Sequence, residues 1–210
     1  MNNQNFILIK GKPFYYEAQK LILNEVPTIT FEQARDILFF AKELLDEKNI
    51  EFNLIYGTLL GAIRERSFIS HDYDVDIFIK DQEALMNAIP EFYKKGFKLC
   101  RVEENRLYSF MVNGVYIDIY IMKKAPFFFN WWCYSLNGNI IPKKYLKESE
   151  KIEFVGAMFN VPKDPIRLIK FFYGKNWKTP IKGAHGRYSI YPVHFYRKFK
   201  KYLFTLIKRQ

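Results

Sequence analysis

The stretch IYGTLLGAIRERSFISHDYDVDIFI, residues 55–79, decides how the chain folds. The apolar run that leads into this stretch, residues 52–56, predicts a buried strand that ends at Gly57. TLLGAIR then predicts a short helix, and a polar loop follows. The last seven residues alternate acid and apolar side chains, a period of two that predicts another strand. The stretch therefore predicts a strand, a glycine turn, a helix and a strand that carries acids.

Asp74 and Asp76 stand two residues apart on the acid-bearing strand, so both carboxylates face the same side. Their charges repel unless a proton or a hard divalent cation, Mg²⁺ or Mn²⁺, lies between them. A third acid, Asp118, lies in the apolar segment VYIDIYI, where an unpaired charge is costly. These three acids predict a metal site. The alternative is a pair of solvated acids on an edge strand, with Asp118 in a buried salt bridge to Arg106 or Arg101.

Gly57 and Thr58 lie between the first strand and the helix, where backbone N–H groups can hold a phosphate. With the three acids, this order matches the active site of the nucleotidyltransferase superfamily. Residues 55–79 closely resemble the core motif of the LicD/fukutin family of phosphotransferases, and Asp72-Tyr73-Asp74-Val75-Asp76 is similar to its fukutin-related branch. Residues 173–180, YGKNWKTP, resemble the family's C-terminal Tyr-Gly-x-x-Trp-x-x-Pro signature.

This resemblance implies a function. Family members move a phospho-alcohol unit, such as phosphocholine or phosphoribitol, from a CDP-linked donor to a glycan hydroxyl. Asp74 and Asp76 are the implied metal ligands, and Asp118 is the implied third ligand or the base for the acceptor hydroxyl. The implied donor-binding residues are Gly57 and Thr58 at the diphosphate, Arg64 at a phosphate, and Asp72 and His71 beside the acids. His71 stands where the family often has Trp, and a plain loop role is its alternative.

The rest of the pattern predicts an α/β (α+β) fold with a mixed sheet flanked by helices, and the resemblance implies that this sheet is nucleotidyltransferase-like. Thr30 and Gln33 form a capping-box pattern before a helix over 31–48. Asn113-Gly114 is a strong hairpin signal, and Asn137-Gly138 suggests a second hairpin. The other predicted elements are, in order, an aromatic lead-in over 6–26, a helix over 81–93, strands near 97–103, 107–112 and 115–122, an irregular segment over 125–146, one strand over 152–161, and a helix from Pro165 to Gly174.

The charge of the chain is concentrated at one end. The 210 residues are 49% hydrophobic, which excludes an intrinsically disordered protein, and the net charge is +11. Residues 165–210 hold 12 Lys and Arg and no acid, whereas residues 1–164 are close to neutral. A neutral body argues against a nucleic-acid-binding protein, and no nucleic acid is expected as a partner. We expect a catalytic domain over 1–180 and a basic loop and helix over 181–210.

The terminal segment 193–210 predicts a basic amphipathic helix. Its apolar stripe would lie on an anionic membrane or, alternatively, pack against the domain. The sequence starts with no signal-peptide pattern, and no apolar run is long enough to span a membrane. Cys100 and Cys133 match no metal or redox spacing, and free thiols are expected. We therefore expect a cytoplasmic protein, peripheral on the inner face of the membrane.

An aromatic segment lies between the third acid and the C-terminal motif. Residues 127–132, FFFNWW, hold five aromatic side chains, including Trp131 and Trp132. Packing in the core or at its rim is one interpretation, and Trp177 is also expected in the core. The other interpretation is a cage for a quaternary ammonium, which favours phosphocholine as the transferred unit. Two rival functions remain: a nucleotidyltransferase that releases pyrophosphate, and a non-catalytic basic module that binds membranes or nucleic acid.

Overall fold

The computed structural model describes residues 5–19, 28–103 and 106–180. The strands in this part of the chain are β1 Asn5–Ile9, β2 Lys12–Tyr16, β3 Phe52–Leu54, β4 Asp74–Ile79, β5 Lys98–Glu103, β6 Leu107–Val112, β7 Val115–Lys124, β8 Cys133–Leu136, β9 Asn139–Pro142, β10 Ser149–Phe154 and β11 Ala157–Pro162. The helices are α1 Phe31–Glu47, α2 Tyr56–Arg64, α3 Gln82–Lys94, α4 Lys143–Leu146 and α5 Pro165–Tyr173, with a 3₁₀ helix at Phe127–Trp131.

A central mixed sheet carries the acid-bearing strand in its interior. Its strand order is β3-β4-β7-β6-β5, and the β8–β9 hairpin pairs with the far end of β7. β4 and β7 run parallel, and their other neighbours in this order are antiparallel. Helices α1 and α2 pack against β4, and α3 packs against β5. The predicted fold class, a mixed sheet flanked by helices, is confirmed.

Helix α1 forms where its cap and its apolar period predict it. The Thr30 side chain accepts a hydrogen bond from the Gln33 backbone, and the Gln33 side chain accepts one from the Thr30 backbone. This reciprocal capping box satisfies two N–H groups that have no partner within the helix. The face that α1 buries consists of Ala34, Ile37, Leu38, Ala41, Leu44 and Leu45.

Both predicted Asn-Gly hairpins are present. Asn113 and Gly114 join β6 to β7 with positive φ angles of 51° and 78°. Asn137 and Gly138 join β8 to β9 with φ angles of 50° and 75°. Asparagine and glycine tolerate this left-handed conformation better than other residues, and a two-residue turn of this kind matches the twist of the strands. The register of β7, and with it the position of Asp118, is therefore set locally.

Three segments fold differently from the prediction. The aromatic lead-in contains the β1–β2 hairpin, whose Lys10-Gly11 turn has φ angles of 50° and 76°. The predicted single strand over 152–161 is wrong, because β10 and β11 form a hairpin that turns at Val155-Gly156. The segment over 125–146 is also more regular than predicted, because it contains the 3₁₀ helix, β8, β9 and α4.

The core confirms two smaller predictions, which concern Trp177 and the two cysteines. Trp177 is only 6% exposed, so the C-terminal motif is anchored in the core. Cys100 and Cys133 are both buried and free. Within the described ranges, no helix combines the length and the apolar character that crossing a membrane requires. The predicted tail helix over 193–210 and the domain boundary near residue 180 lie at or outside the limits of the described residues.

Candidate active site

Three aspartates converge on one face of the central sheet. Asp74 and Asp76 share a face of β4, and in the parallel pairing with β7 Asp76 lies directly opposite Asp118. One carboxylate oxygen from each of the three lies within 4.8 Å of the others. The parallel register thus brings together acids that are more than 40 residues apart in the chain. A single cation can contact all three.

Burial makes this cluster electrostatically costly without a counter-charge. Asp76 is 6% exposed and Asp118 is 2% exposed. Burial raises the pKa of Asp76 well above its usual value, and the carboxylates of Asp74 and Asp72 raise it further. The pKa of Asp74 is raised well above its usual value for the same reasons, first by burial and then by Asp118 and Asp72. The cluster therefore favours a bound proton or cation.

Asp72 belongs to the same cluster through its contact with Gly57. A Cβ atom placed on Gly57 would lie 2.5 Å from Asp72 Oδ2 and 3.2 Å from Asp76 Oδ2. Glycine at this position therefore leaves room for the close approach of two carboxylates to the start of α2. Burial raises the pKa of Asp72 as well, while the Tyr73 N–H, which donates to Asp72 Oδ1 at 3.1 Å, opposes that rise.

Gly57 and Thr58 both hydrogen-bond to Asp76 in this structure. The Gly57 N–H donates to Asp76 Oδ2 at 3.0 Å. The Thr58 hydroxyl, buried at 2% exposure, accepts a hydrogen bond from the Asp76 N–H at 2.8 Å. These two contacts fix the acid-bearing strand against α2 and orient the Asp76 carboxylate. A phosphate contact of Gly57 and Thr58, which the sequence predicts, stays a prediction.

Asp118 has two unlike oxygen atoms. Its Oδ2 accepts a hydrogen bond from Arg101 Nη2 at 2.6 Å and another from the Tyr120 hydroxyl at 3.3 Å. Its Oδ1 is buried and has no hydrogen-bond partner in the part of the chain that the structure describes. Burial raises the pKa of Asp118, and Arg101 opposes this rise. The buried salt bridge weighed as an alternative to the metal site is therefore present, to Arg101, and it leaves one oxygen of Asp118 unused.

The residues fit a hard divalent cation. Mg²⁺ and Mn²⁺ prefer oxygen ligands, and carboxylates supply both the atoms and the charge. The orphaned Oδ1 of Asp118 would gain a partner on binding such an ion, and an unsatisfied buried carboxylate oxygen is otherwise costly. The aspartate triad and its electrostatics are consistent with a divalent cation.

Arg64 joins the two sequence motifs to each other. Its Nη1 donates to the Trp177 carbonyl oxygen at 3.3 Å, and its Nε and Nη2 donate to Glu65 Oε1 at 3.1 and 2.5 Å. Its side chain is only 10% exposed. The motif at 55–79 is thus tied to the motif at 173–180. A phosphate contact of Arg64 stays a prediction, and so does one of His71, which is partly exposed in the loop before Asp72.

The aromatic segment lies away from the carboxylates. Trp131 is 81% exposed and Trp132 is 54% exposed, so their packing in the core is a wrong prediction. In the β7–β8 pairing Tyr134 lies opposite Lys124. Lys124 is six residues beyond Asp118 on the same strand, a distance of about 20 Å along β7. The tryptophans precede β8 at that far end, so the geometry gives a choline cage beside the metal site no support.

Sequence reasoning missed two residues that shape the site. Tyr56 begins α2 with a positive φ of 43°, an uncommon conformation for a bulky residue. Its ring stacks edge-on against Tyr120 at 5.0 Å, and Tyr120 in turn contacts Asp118. The aromatic residue directly before the Gly-Thr turn was the available signal. Arg101 was named only as a salt-bridge partner, because nothing in the pattern of β5 shows which way it faces.

Comparison with known proteins points to one family. The family model described as LicD/FKTN/FKRP, nucleotidyltransferase domain, matches residues 49–164, a span that includes all four clustered aspartates. Ribitol-5-phosphate transferase FKTN of Mus musculus is 31% identical over 169 residues, which cover 76% of this chain. Uncharacterized protein RP689 of Rickettsia prowazekii is 33% identical over 141 residues, which cover 59% of this chain and 47% of that protein.

These matches cover different shares of this chain and of the proteins compared with it. This chain spans 36% of the length of the mouse and human ribitol-5-phosphate transferases FKTN. Among solved structures, the lincomycin-bound lincosamide antibiotic adenylyltransferase LnuA aligns with a TM-score of 0.47 and 12% identity, over 67% of this chain and 85% of that chain. The similarity to the transferases therefore concerns one region of those longer proteins.

Proposed function

The chain belongs to the LicD/FKTN/FKRP family, and on that premise we propose that it is a metal-dependent phosphotransferase. It moves a phospho-alcohol unit from a CDP-linked donor to a hydroxyl of a cell-surface glycan or of its lipid-linked precursor. The observation that carries this proposal is the convergence of Asp74, Asp76 and Asp118 within 4.8 Å on one face of the sheet. Asp72 adds a fourth carboxylate beside them.

The roles of the residues follow from the chemistry of phosphotransfer. Asp74, Asp76 and Asp118 would hold Mg²⁺ or Mn²⁺, which when bound would neutralise charge on the phosphate oxygens. A new bond forms between the acceptor oxygen and the donor phosphorus, the bond to CMP breaks, and CMP leaves with its phosphate. The acceptor hydroxyl loses its proton to a carboxylate, for which Asp118 and Asp72 are the candidates. Gly57, Thr58, Arg64 and His71 are the proposed donor contacts.

The identity of the alcohol rests on two different arguments. The aromatic content of residues 127–132 favoured phosphocholine. The relatives named ribitol-5-phosphate transferase favour a polyol phosphate. The exposure of Trp131 and Trp132 and their place before β8, which pairs with the far end of β7, weigh against the first argument. We therefore propose a polyol phosphate such as ribitol 5-phosphate as the transferred unit.

With CDP-ribitol and CDP-choline at equal concentration and a glycan acceptor extract, we expect the polyol to be transferred in at least a tenfold excess. Choline would be favoured only by an aromatic cage beside the acids, through a cation–π attraction of about 0.5–2 kcal/mol. The measurement is the labelled product from each donor, with CMP quantified in the same reaction and pyrophosphate quantified in a parallel reaction that contains a nucleoside triphosphate. Release of CMP supports phosphotransfer.

Two results of this assay would contradict the proposal. Release of pyrophosphate from a nucleoside triphosphate, with transfer of the nucleotide, would show the rival nucleotidyltransferase activity. A preference for CDP-choline that disappears in Trp131→Ala or Trp132→Ala would restore the choline cage. The matched control is Tyr145→Ala, an aromatic residue that stacks on Phe171 instead of lying in the 127–132 segment.

We also propose that the basic segment 193–210 brings the enzyme to an anionic membrane at its cytoplasmic face. Removal of this segment is expected to weaken binding to vesicles rich in anionic lipid, because each Lys or Arg near such a surface contributes about 1 kcal/mol. Turnover on a water-soluble acceptor should stay within about twofold of the value for the full chain. Vesicle co-sedimentation at low and high salt measures the first effect. Equal vesicle binding with and without the segment would contradict the proposal.

A further inference from the structure

Four polar residues form a row across four neighbouring strands, β4, β7, β6 and β5. In the strand pairings Asp76 lies opposite Asp118, Asp118 lies opposite Ser109, and Ser109 lies opposite Arg101. Directly opposed residues in neighbouring strands share a face of the sheet. Ser109 is completely buried, and Asp118 nearly so. The row therefore extends the acid cluster by two strands and ends in a cation.

A β-bulge puts Arg101 in this row. On β5, Leu99 pairs with Phe110 and Arg101 pairs with Ser109, and the register shifts between them. Phe110 and Ser109 are consecutive on β6, so they face opposite sides of the sheet. Leu99 and Arg101 must then also face opposite sides of the sheet. In a regular strand, residues two positions apart lie on the same side. The extra residue, Cys100, turns Arg101 from the face of Leu99 to the face of the acids, as bulges near active sites do.

The guanidinium of Arg101 is held at two points. Its Nη2 donates to Asp118 Oδ2 at 2.6 Å and its Nε donates to Ser109 Oγ at 3.0 Å. The Tyr120 hydroxyl donates to the same Oδ2 at 3.3 Å. Arg101 and Tyr120 therefore donate to the same oxygen of Asp118, and among the described residues Oδ1 stays buried without a partner. This arrangement holds the carboxylate by Oδ2 and leaves Oδ1 without a hydrogen bond among the described residues.

We propose that Arg101, anchored by Ser109, is a positioning residue of the metal site. It holds Asp118 through Oδ2 so that Oδ1 is available to a divalent cation. The inference rests on the proposed function insofar as the aspartates hold such a cation. Groups that orient metal ligands from behind affect metal affinity strongly, by about 10–100-fold when they are removed.

Titration calorimetry of Mn²⁺ into the full chain without donor tests this role. We expect Arg101→Gln to bind Mn²⁺ at least about tenfold more weakly than the wild type. The matched control is Arg106→Gln, because Arg106 pairs with Glu103 at 2.9 Å outside the row. Arg106→Gln should bind Mn²⁺ as the wild type does. Circular dichroism before each titration confirms that the variant is folded.

Ser109→Ala provides a second, milder test. It keeps the charge of Arg101 and removes a hydroxyl that anchors Arg101 and also hydrogen-bonds the Asp118 carboxylate, so Mn²⁺ binding should weaken about threefold. Wild-type affinity in folded Arg101→Gln would overturn the inference while leaving the metal site intact, and if Arg101→Gln does not fold, wild-type affinity in Ser109→Ala would overturn it. A wild-type chain that does not bind Mn²⁺ would overturn the metal site itself, and this inference with it.

Discussion

Asparagine in place of Asp76 is expected to lower phosphotransfer by at least about a thousandfold. The change is nearly isosteric, and an amide oxygen can still accept the hydrogen bond that the Gly57 N–H donates to Asp76 Oδ2 at 3.0 Å. What is lost is one negative charge among the oxygens that lie within 4.8 Å of one another. Asp74→Asn should have a similar effect. Steady-state turnover with excess Mg²⁺ and with excess EDTA measures both.

A surface acid provides the control for this experiment. Asp36 lies on α1 with a side chain that is 55% exposed, and it pairs with Arg35. Asp36→Asn removes the same charge outside the site and should leave turnover unchanged. Full activity in Asp74→Asn or Asp76→Asn, or undiminished wild-type turnover in EDTA, would exclude the metal mechanism.

Asp74→Asn and Asp76→Asn should be at least as stable as the wild type when no metal is bound. Burial and neighbouring acids raise the pKa of Asp76 in the folded state above its ordinary value of 3.8. The folded state then binds more protons than the unfolded state, so the metal-free wild type loses stability as pH rises from that value through the raised pKa. Asp76→Asn removes this loss. Thermal unfolding in EDTA at several pH values should show a smaller decrease in Tm towards high pH for the variant.

Much of the fold could be read from the sequence because its signals are local. The capping box at Thr30 and Gln33 marks the start of α1, and the Asn113-Gly114 turn sets the register of β6 against β7. The alternation of acids on β4 predicts a common face for Asp74 and Asp76. Each of these signals depends on a few consecutive residues, and the structure follows them.

The parts that could not be predicted depend on contacts that are distant in sequence. The β10–β11 turn contains Val155 with a φ of 46°, a conformation that β-branched residues disfavour, so Gly156 is its one turn signal. No sequence pattern marks the bulge at Cys100, yet the bulge decides which face of the sheet Arg101 occupies. Arg64 reaches Trp177 only because α2 and α5 pack together. Periodicity assigns a residue to an element, whereas packing decides what its side chain meets.

Alanine should have different effects at the two glycines of α2, a loss of stability at Gly61 and a loss of turnover at Gly57. Alanine is the better helix former by about 1 kcal/mol, so any loss must come from what the new methyl group meets. At Gly61 it would lie 2.5 Å from the backbone oxygen of Ser67 and 3.2 Å from the backbone nitrogen of Ile69. Backbone atoms cannot turn aside. Gly61→Ala is therefore expected to cost about 1–3 kcal/mol of stability, measured by urea unfolding.

At Gly57 the new methyl group meets side-chain ends instead, at 2.5 Å from Asp72 Oδ2 and 3.2 Å from Asp76 Oδ2. These carboxylates can rotate away, and the fold should keep its stability to within about 1 kcal/mol. The rotation moves two acids of the candidate site, and misplaced groups of this kind lower rates by about a hundredfold. Gly57→Ala should thus lose turnover while Gly61→Ala loses stability. Wild-type turnover in Gly57→Ala would show that the approach of Asp72 to α2 is not needed for the reaction, and the proposed part of Asp72 in the cluster would fall.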